Sequence, residues 1–385
     1  MIELDDRLLA LRQEVRMLAE PLRERALDLE ADPQAIKGYL DLPVMRFLAT
    51  MLIPPEYQQA RLRVGPYRYY GMECLERVVA AEEIARADAS ALIAAPGPSL
   101  SGVLVHALAD EAQKQWYYDR LLAGPTWTFF ALTEPERGSD AGRLSTRLQP
   151  SACGGWRLDG AKRYIGNGVR ASVGTVIARQ SEGPLGVTAV LIEASAPGFT
   201  STAIPTVGLR AALLSDITLS GVPIAEDRVL GRHLSASRRG MRAVVQTLNQ
   251  LRPGVAAIAL GISAAAIDYV HTHRRTLRAV ERHELERFES QLTAVRQLIY
   301  RAAASIGKDP DNGMLASAAK ARAASLAEQV TLFAPRLFGP GARIDHPMLD
   351  KLARDARGTE YMEGTSSIQK LTLFGGYIRG RLPHA

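Results

Sequence analysis

The 385-residue chain is 47% hydrophobic, which excludes a disordered protein and supplies enough apolar surface for two or three packed domains. Its 47 Lys and Arg outnumber 41 Asp and Glu, for a formal charge of +6, but arginines and acids are interleaved without a zinc-finger, homeodomain or RNA-recognition signature, so no nucleic-acid partner is expected. A mild positive field of this kind suits a phosphorylated ligand or an acidic partner protein.

The N-terminal residues Met1-Ile2-Glu3-Leu4-Asp5-Asp6 are acidic and lack the basic segment and apolar run of a signal peptide. No apolar stretch reads as approaching the ~20 residues of a membrane span, so a cytoplasmic protein with no membrane partner is expected. Residues 1–125 read as an N-terminal all-helical domain, with Leu8, Leu9, Leu11, Val15 and Leu18, and later Leu75, Val78 and Val79, at helical spacing. Pro33, Pro43, the Ile53-Pro54-Pro55 step and Pro96-Gly97-Pro98-Ser99 punctuate it, and a helix beginning near Asp110 ends at Gly124-Pro125.

The period changes at Thr126. Residues 127–132, 173–178 and 186–192 are short runs rich in Val, Ile, Thr and aromatics between Gly, Asp, Asn and Pro turns, and so predict strands. With no long helix between them, residues 126–232 predict an antiparallel barrel or sandwich rather than a doubly wound sheet. Helical periodicity returns over residues 233–385, broken at Asp309-Pro310-Asp311-Asn312-Gly313 and Phe338-Gly339-Pro340-Gly341. Small residues crowd 253–266 and let helices approach closely, as in the middle of a four-helix bundle. The fold class is therefore α+β, mostly α: a helical domain, a middle β-barrel domain and a C-terminal helical bundle.

The two cysteines, Cys74 and Cys153, form no Cys-x-x-Cys pair, and the seven histidines match no metal spacing, so neither a disulfide framework nor a metal site is expected. A Gly-x-Ser-x-Gly elbow, a Gly-x-x-x-x-Gly-Lys loop and a Gly-x-Gly-x-x-Gly turn are all lacking, which argues against a serine hydrolase, a P-loop enzyme or a Rossmann dehydrogenase.

Three segments carry candidate chemistry. In the first, residues 131–141 close a strand with Thr133, whose hydroxyl can meet a polar heterocycle, and Gly138-Ser139-Asp140, whose turn can hold a phosphate oxygen. As structure alone it is a β-turn with Asx-type chemistry. The second, residues 160–168, ends in Gly166-Asn167-Gly168, a tight turn needing positive φ, and offers Tyr164 as a ring to lie against a planar cofactor; a hairpin alone would also explain it. The third, Glu363-Gly364-Thr365-Ser366, is either a loop entering a helix with Thr365 or Ser366 as its N-cap, or a carboxylate set for proton transfer.

These segments, with Arg252-Pro253-Gly254-Val255-Ala256-Ala257, Leu260-Gly261-Ile262, Arg354-Asp355-Ala356 and Ile368-Gln369, occur in the order found in the acyl-CoA dehydrogenase family, which the chain resembles from its first helices to about Arg379. The resemblance implies that three-domain fold with FAD at the junction, and a homodimer or homotetramer. It implies Glu363 as the catalytic base that takes the α-proton of an acyl thioester, while a β-hydride passes to flavin N5. Phe130, Leu132, Thr133, Tyr164, Gly166, Gly364 and Thr365 match cofactor-binding positions, and Ser139 and Arg252 match positions facing the substrate, with Asn249 alongside. Some members carry the base just ahead of the arginine-proline step; here Leu248-Asn249-Gln250-Leu251 holds no carboxylate, which leaves Glu363.

The departures are informative too. Tyr164 stands where the family usually has tryptophan, Gly166 where it has threonine, and Met362 where it has tyrosine. The family's Arg-x-x-Phe-Gly is missing as such; Arg275, beside Arg274 and Arg278, is the candidate to replace its charge at the cofactor phosphates, against a plain solvated helix end, and Gly339 lies in an altered form of a glycine turn expected near FAD. These departures look like the branch encoded among secondary-metabolite genes, some of whose members oxidise acyl or hydroxyacyl groups tethered to acyl carrier protein. The resemblance leaves open acyl-CoA or acyl carrier protein as substrate, electron-transfer flavoprotein or oxygen as electron acceptor, and a catalytically silent homologue as the alternative to an enzyme.

Overall fold

The computed structural model describes residues 2–152 and 154–380, so Cys153 and His384 lie outside the described residues. The first part comprises α1 (Asp6–Glu24), α2 (Ala26–Ala31), α3 (Pro43–Thr50), α4 (Cys74–Ala94), α5 (Ser99–Leu108) and α6 (Glu111–Leu122); it is not all-helical as expected, because a small antiparallel hairpin, β1 (Leu62–Val64) and β2 (Tyr67–Tyr69), turning at Gly65 with φ +54°, is inserted before α4. Asp5 caps α1 by accepting from the Leu8 amide at 2.8 Å, and Leu8, Leu11, Val15, Ala19 and Leu22 put one face into the core. α4 is broken at Asp88, whose backbone leaves the helical region at φ −156°; its carboxylate accepts from the Ser90 amide at 2.9 Å and restarts the helix.

The strands follow: β3 (Thr128–Ala131), β4 (Arg147–Pro150), β5 (Trp156–Ile165), β6 (Val173–Arg179), β7 (Val187–Glu193), β8 (Phe199–Ala203) and β9 (Ser215–Ile224). They form one seven-stranded sheet in the order β3-β6-β4-β5-β9-β8, with β7 on the other edge of β6. The sheet is mixed rather than antiparallel throughout, because β3 and β4 both run parallel to β6 along one edge of it. Phe129, Leu148, Leu158, Val176, Ile217 and Val222 fill its inner face.

The last part comprises α7 (Met241–His273), α8 (Ala279–Lys308), α9 (Met314–Phe333), α10 (Ala342–Asp345), α11 (Pro347–Tyr361) and α12 (Ser366–Ile378). The helices before and after the sheet share a single core running through α1, α4, α7, α8, α9 and α11. The small residues explain the closeness of α4 and α7: a Cβ on Gly261 would stand 2.5 Å from the Glu82 carbonyl oxygen. By length and composition the helical stretch Ala236–His273 is apolar enough to cross a membrane, which corrects the expectation that no such stretch exists. Of its apolar window 83% is buried within the fold, as befits the central helix of a bundle.

Candidate active site

The turn between α11 and α12 holds its backbone in an uncommon shape. Glu363 has φ +49° and Gly364 φ +97°, so a glutamate occupies left-handed space that costs an L-residue about 1–2 kcal/mol. Donors fix the carbonyls on both sides. Lys320 Nζ, from α9, donates to the Glu360 oxygen at 2.6 Å and the Gly364 oxygen at 2.8 Å. Gln369 Nε2 donates to the Glu363 and Gly364 oxygens, each at 3.1 Å, and Arg252 Nε, from α7, donates to the Glu363 oxygen at 3.3 Å. Thr365, not Ser366, is the N-cap of α12, while the Ser366 amide donates to Glu360 Oε1 at 2.8 Å. The cap and the carboxylate readings are thus compatible: the cap starts the helix and frees the preceding side chain.

That side chain points inward. Although Glu363 as a residue is half-buried, its Oε2 is closed to solvent and has no hydrogen-bond partner among the described residues. Burial pushes the carboxyl up to about 7, against the opposing pull of the Arg252 and Lys320 cations. Burial also lowers both cations, Lys320 to about 8. Arg252 is nearly enclosed, and its Nη1 donates to Asn249 Oδ1 at 2.7 Å. Pro253 cannot donate to the Asn249 carbonyl one turn back. At the next carbonyl, Gln250, two donors from α4 converge: Arg77 Nη2 at 3.1 Å and Cys74 Sγ at 3.4 Å.

The end of β3 forms the second part. Leu132 is buried, Phe130 and Thr133 are half-buried, and Tyr164, at φ +60°, is 56% exposed as a residue. The tight turn at 166–168 takes its positive φ at Asn167, +59°, and Tyr164 just before it is at positive φ as well. A Cβ on Gly166 would meet nothing within 4 Å, so the space beside it is open. Beneath lies a buried ion pair: Lys162 Nζ donates to Glu134 Oε1 and to the Leu132 carbonyl oxygen, both at 3.0 Å. The Ser145 and Thr146 amides and hydroxyls also donate to Glu134. Burial works to raise the Glu134 carboxyl, but Lys162 and these donors outweigh it and hold it at about 2.

α7 links the two parts. Leu132 and Phe130 share an apolar cluster with Val244 and Leu248, and Arg252 follows Leu248 by one helical turn, about 6 Å. Ser139 lies on the exposed turn after β3. Arg275 and Gly339 do not join this assembly within the chain. Arg275 is just past the end of α7, more than 20 residues and so about 30 Å beyond Arg252, where Arg274 lies over the Phe338 ring beside Gly339.

Lys320 and the Lys162–Glu134 pair carry no functional reading in the sequence alone. A single lysine in the alanine-rich run 316–324 was the available signal for Lys320, since a cation on a buried helix face needs acceptors at its tip.

The acyl-CoA dehydrogenase middle-domain family matches residues 129–222, and the acyl-CoA dehydrogenase C-terminal-domain family matches residues 238–375. The cyclohexane-1-carbonyl-CoA dehydrogenase of Geobacter metallireducens is 30% identical over 385 residues, covering 94% of this chain and 96% of that protein. The structure of butyryl-CoA dehydrogenase from Megasphaera elsdenii superposes with TM-score 0.81 at 26% identity, over 98% of this chain and all of that one. The prolyl acyl carrier protein oxidase AnaB superposes with TM-score 0.80 at 19% identity, over 97% of this chain and all of that one, a likeness of fold.

Proposed function

Because this chain belongs to the acyl-CoA dehydrogenase family, we propose that it is an FAD-dependent oxidoreductase acting on the CH–CH group of an acyl thioester, with Glu363 as the base. The observation that carries this reading is the unpartnered, solvent-shielded Oε2 of Glu363 with its carboxyl raised to about 7. A base with that affinity is largely ionised just above neutrality and strong enough to take a weakly acidic α-proton. Arg252 and Lys320 keep it from rising further and hold the loop that aims it. The strained backbone at Glu363 suits a group held for one direction of approach.

The residues present fit FAD. Thr133 offers a hydroxyl at a strand end, Tyr164 is exposed, and the space beside Gly166 is open. Phe130, Leu132, Thr133, Tyr164 and Gly166 would hold the flavin ring, and Gly364 and Thr365 a more distant part of the cofactor. Bound FAD supplies the two-electron acceptor for the oxidation. Gly166 offers no hydroxyl, so Thr133 would carry more of the polar contact at that edge of a bound flavin. For Arg275 and Gly339 to meet the same cofactor, a second copy of the chain must supply them, which supports a homodimer or homotetramer.

Substitution of Glu363→Gln should leave the protein yellow and slow its reduction by substrate by about 10²- to 10⁴-fold; unimpaired turnover would remove Glu363 from the role. A second reading, oxidation of an acyl or hydroxyacyl group on acyl carrier protein in secondary metabolism, is supported by the excess of arginine, which suits an acidic protein. Comparing one acyl group on CoA and on carrier protein separates the two, and equal or better use of CoA counts against the second. Reduced enzyme would pass its electrons to an electron-transfer flavoprotein or oxygen. A colourless protein that FAD does not recolour would instead indicate a catalytically silent homologue.

A further inference from the structure

α7 presents one stripe to the turn that joins α8 to α9. Arg242, Gln246 and Asn249, four and three residues apart, lie on one face of that helix. Arg242 Nη2 donates to Asp311 Oδ2 at 2.7 Å, Gln246 Nε2 to Asp311 Oδ1 at 2.8 Å, and Asn249 Nδ2 to the Pro310 carbonyl oxygen at 3.0 Å. Arg252 follows on the same face, where its Nη1 donates to Asn249 Oδ1 at 2.7 Å and its Nε to the Glu363 carbonyl oxygen at 3.3 Å. We propose that Asn249 is a positioning residue: its side-chain amide, held at one end by the α8–α9 turn, sets the Arg252 guanidinium against the turn that carries Glu363. The consequence for the reaction rests on the reading of Glu363 as the base.

The chemistry of the two neighbours selects the residue. A guanidinium can only donate and the Pro310 carbonyl can only accept, so the group between them must accept on one side and donate on the other. A side-chain amide does both, and these partners fix which way it points. Asn249 is 3% exposed, so a bond broken there is not made good by solvent. Asp at this position would keep the bond to Arg252 but turn a second acceptor on the Pro310 oxygen. It would also match the charge of Arg252. With a neutral amide in place, the carboxylate that acts on Arg252 is Glu363.

The close fit leaves a second mark. A Cβ on Gly313, the residue before α9, would stand 2.2 Å from Asn249 Oδ1 and 2.9 Å from its Nδ2. Gly313 lies at φ −78° and ψ 12°, a shape open to any L-residue, so what excludes a larger side chain is the pinned amide and not the backbone. The groups that face Glu363 are Arg252 from α7, Lys320 from α9 with Glu360 of α11 beside it, and, at the start of α4, the Cys74 thiol with Arg77 next to it; α12 meets the same turn with the neutral Gln369 amide. Arg252 is the foremost charge opposing protonation of Glu363, so displacing or neutralising it raises the carboxyl's proton affinity. A residue that instead touched substrate, where the sequence places Asn249, would change substrate binding and leave that affinity alone.

The test measures two quantities on FAD-loaded Asn249→Asp, Asn249→Ser and Gly313→Ala proteins. One is the anaerobic rate of flavin reduction by a panel of acyl-CoA thioesters across pH. The other is the melting difference, across pH, between each protein and the same protein carrying Glu363→Gln, which follows the titration of Glu363 without turnover. All three variants should reduce about tenfold more slowly at saturating thioester, with half-saturation within about twofold of the parent. The half-way pH should rise by about one unit in Asn249→Asp, and by less in the other two, in rate and in melting alike. Because Gly313→Ala acts through the amide, it should add nothing further in Asn249→Ser. Half-saturation raised about tenfold, with limiting rate and half-way pH unchanged, would assign Asn249 to substrate and overturn positioning. So would no change in either quantity, or an equal effect of Gly313→Ala with and without Asn249. Flavin content shows whether each variant has folded, and Gly313→Ala, whose backbone shape is compatible, decides the matter should Asn249→Asp not fold. If no thioester bleaches the parent, the base reading fails by itself; the melting pairs then uphold the link from Asn249 to Glu363 if the half-way pH shifts and overturn it if it does not.

Discussion

In the role proposed for it, Glu363 would join a property that destabilises the fold to one that serves the chemistry. Its carboxyl moves from an ordinary 4.5 to about 7 on burial, so the folded chain holds the neutral form more tightly than the unfolded chain does. The stability this contributes is complete below pH 4.5 and is lost as pH rises through 7, of order 3 kcal/mol over the window. Glu363→Gln should therefore melt higher than the parent at pH 8 and much like it at pH 4.5, in thermal unfolding of matched FAD-loaded samples. The parent's rate of flavin reduction should climb with pH to a plateau, with its half-way point near 7, and Glu363→Gln should lack that limb. Lys320, which holds the Glu360 and Gly364 carbonyls of the same turn, is proposed to position that group. Lys320→Met should slow reduction by about 10²-fold through misalignment and move the half-way point upward, because a cation beside the carboxyl is gone; Lys320→Arg should recover part of both. Glu363 stands out as a candidate in the sequence because Glu-Gly-Thr is a local string. Lys320 could not, because its role lies in contacts with Glu360 and Gly364, 40 and 44 residues away.

Among the elements, α7 and the end of β3 define the geometry. The Lys162–Glu134 pair ties β5 to the segment bearing Leu132 and Thr133, and both charges are almost fully buried. Lys162→Met leaves Glu134 buried without its cation and should cost about 3–5 kcal/mol, read from urea unfolding midpoints at an unchanged slope. In the parent, the stability from Glu134 is present above pH 4.5 and is lost as pH falls through about 2. The long helices and the strands over 127–132, 173–178 and 186–192 could be read from periodicity, because burial on one face writes itself into spacing, whereas the short β1–β2 hairpin inside the first 125 residues could not. The parallel pairing of β3 and β4 with β6 could not, since β3 and β6 are brought together across more than 40 residues by tertiary packing. Nor could the break in α4: Asp88 sits inside a continuous helical pattern, and the reason for it, the Lys351 ammonium 2.7 Å from its carboxylate, lies 263 residues on.

The molecule as a whole displays a stripe on α12, where Leu371, Phe374, Tyr377 and Ile378 are exposed along one face. An apolar row of this kind suits burial against another copy, in keeping with the homo-oligomer proposed from the distant Arg275 and Gly339. Leu371→Asp/Phe374→Asp should lower the mass seen by light scattering and weaken FAD retention together; an unchanged mass would remove α12 from the contact. The most direct test of the account as a whole is anaerobic stopped-flow reduction of the flavin in parent and Glu363→Gln proteins by a panel of acyl-CoA and acyl-carrier substrates. At least one acyl thioester should bleach the parent rapidly, with a pH midpoint near 7, while the FAD-loaded variant stays oxidised on that timescale. Bleaching of the variant at the parent's rate, or a parent flavin that no thioester reduces, would contradict it.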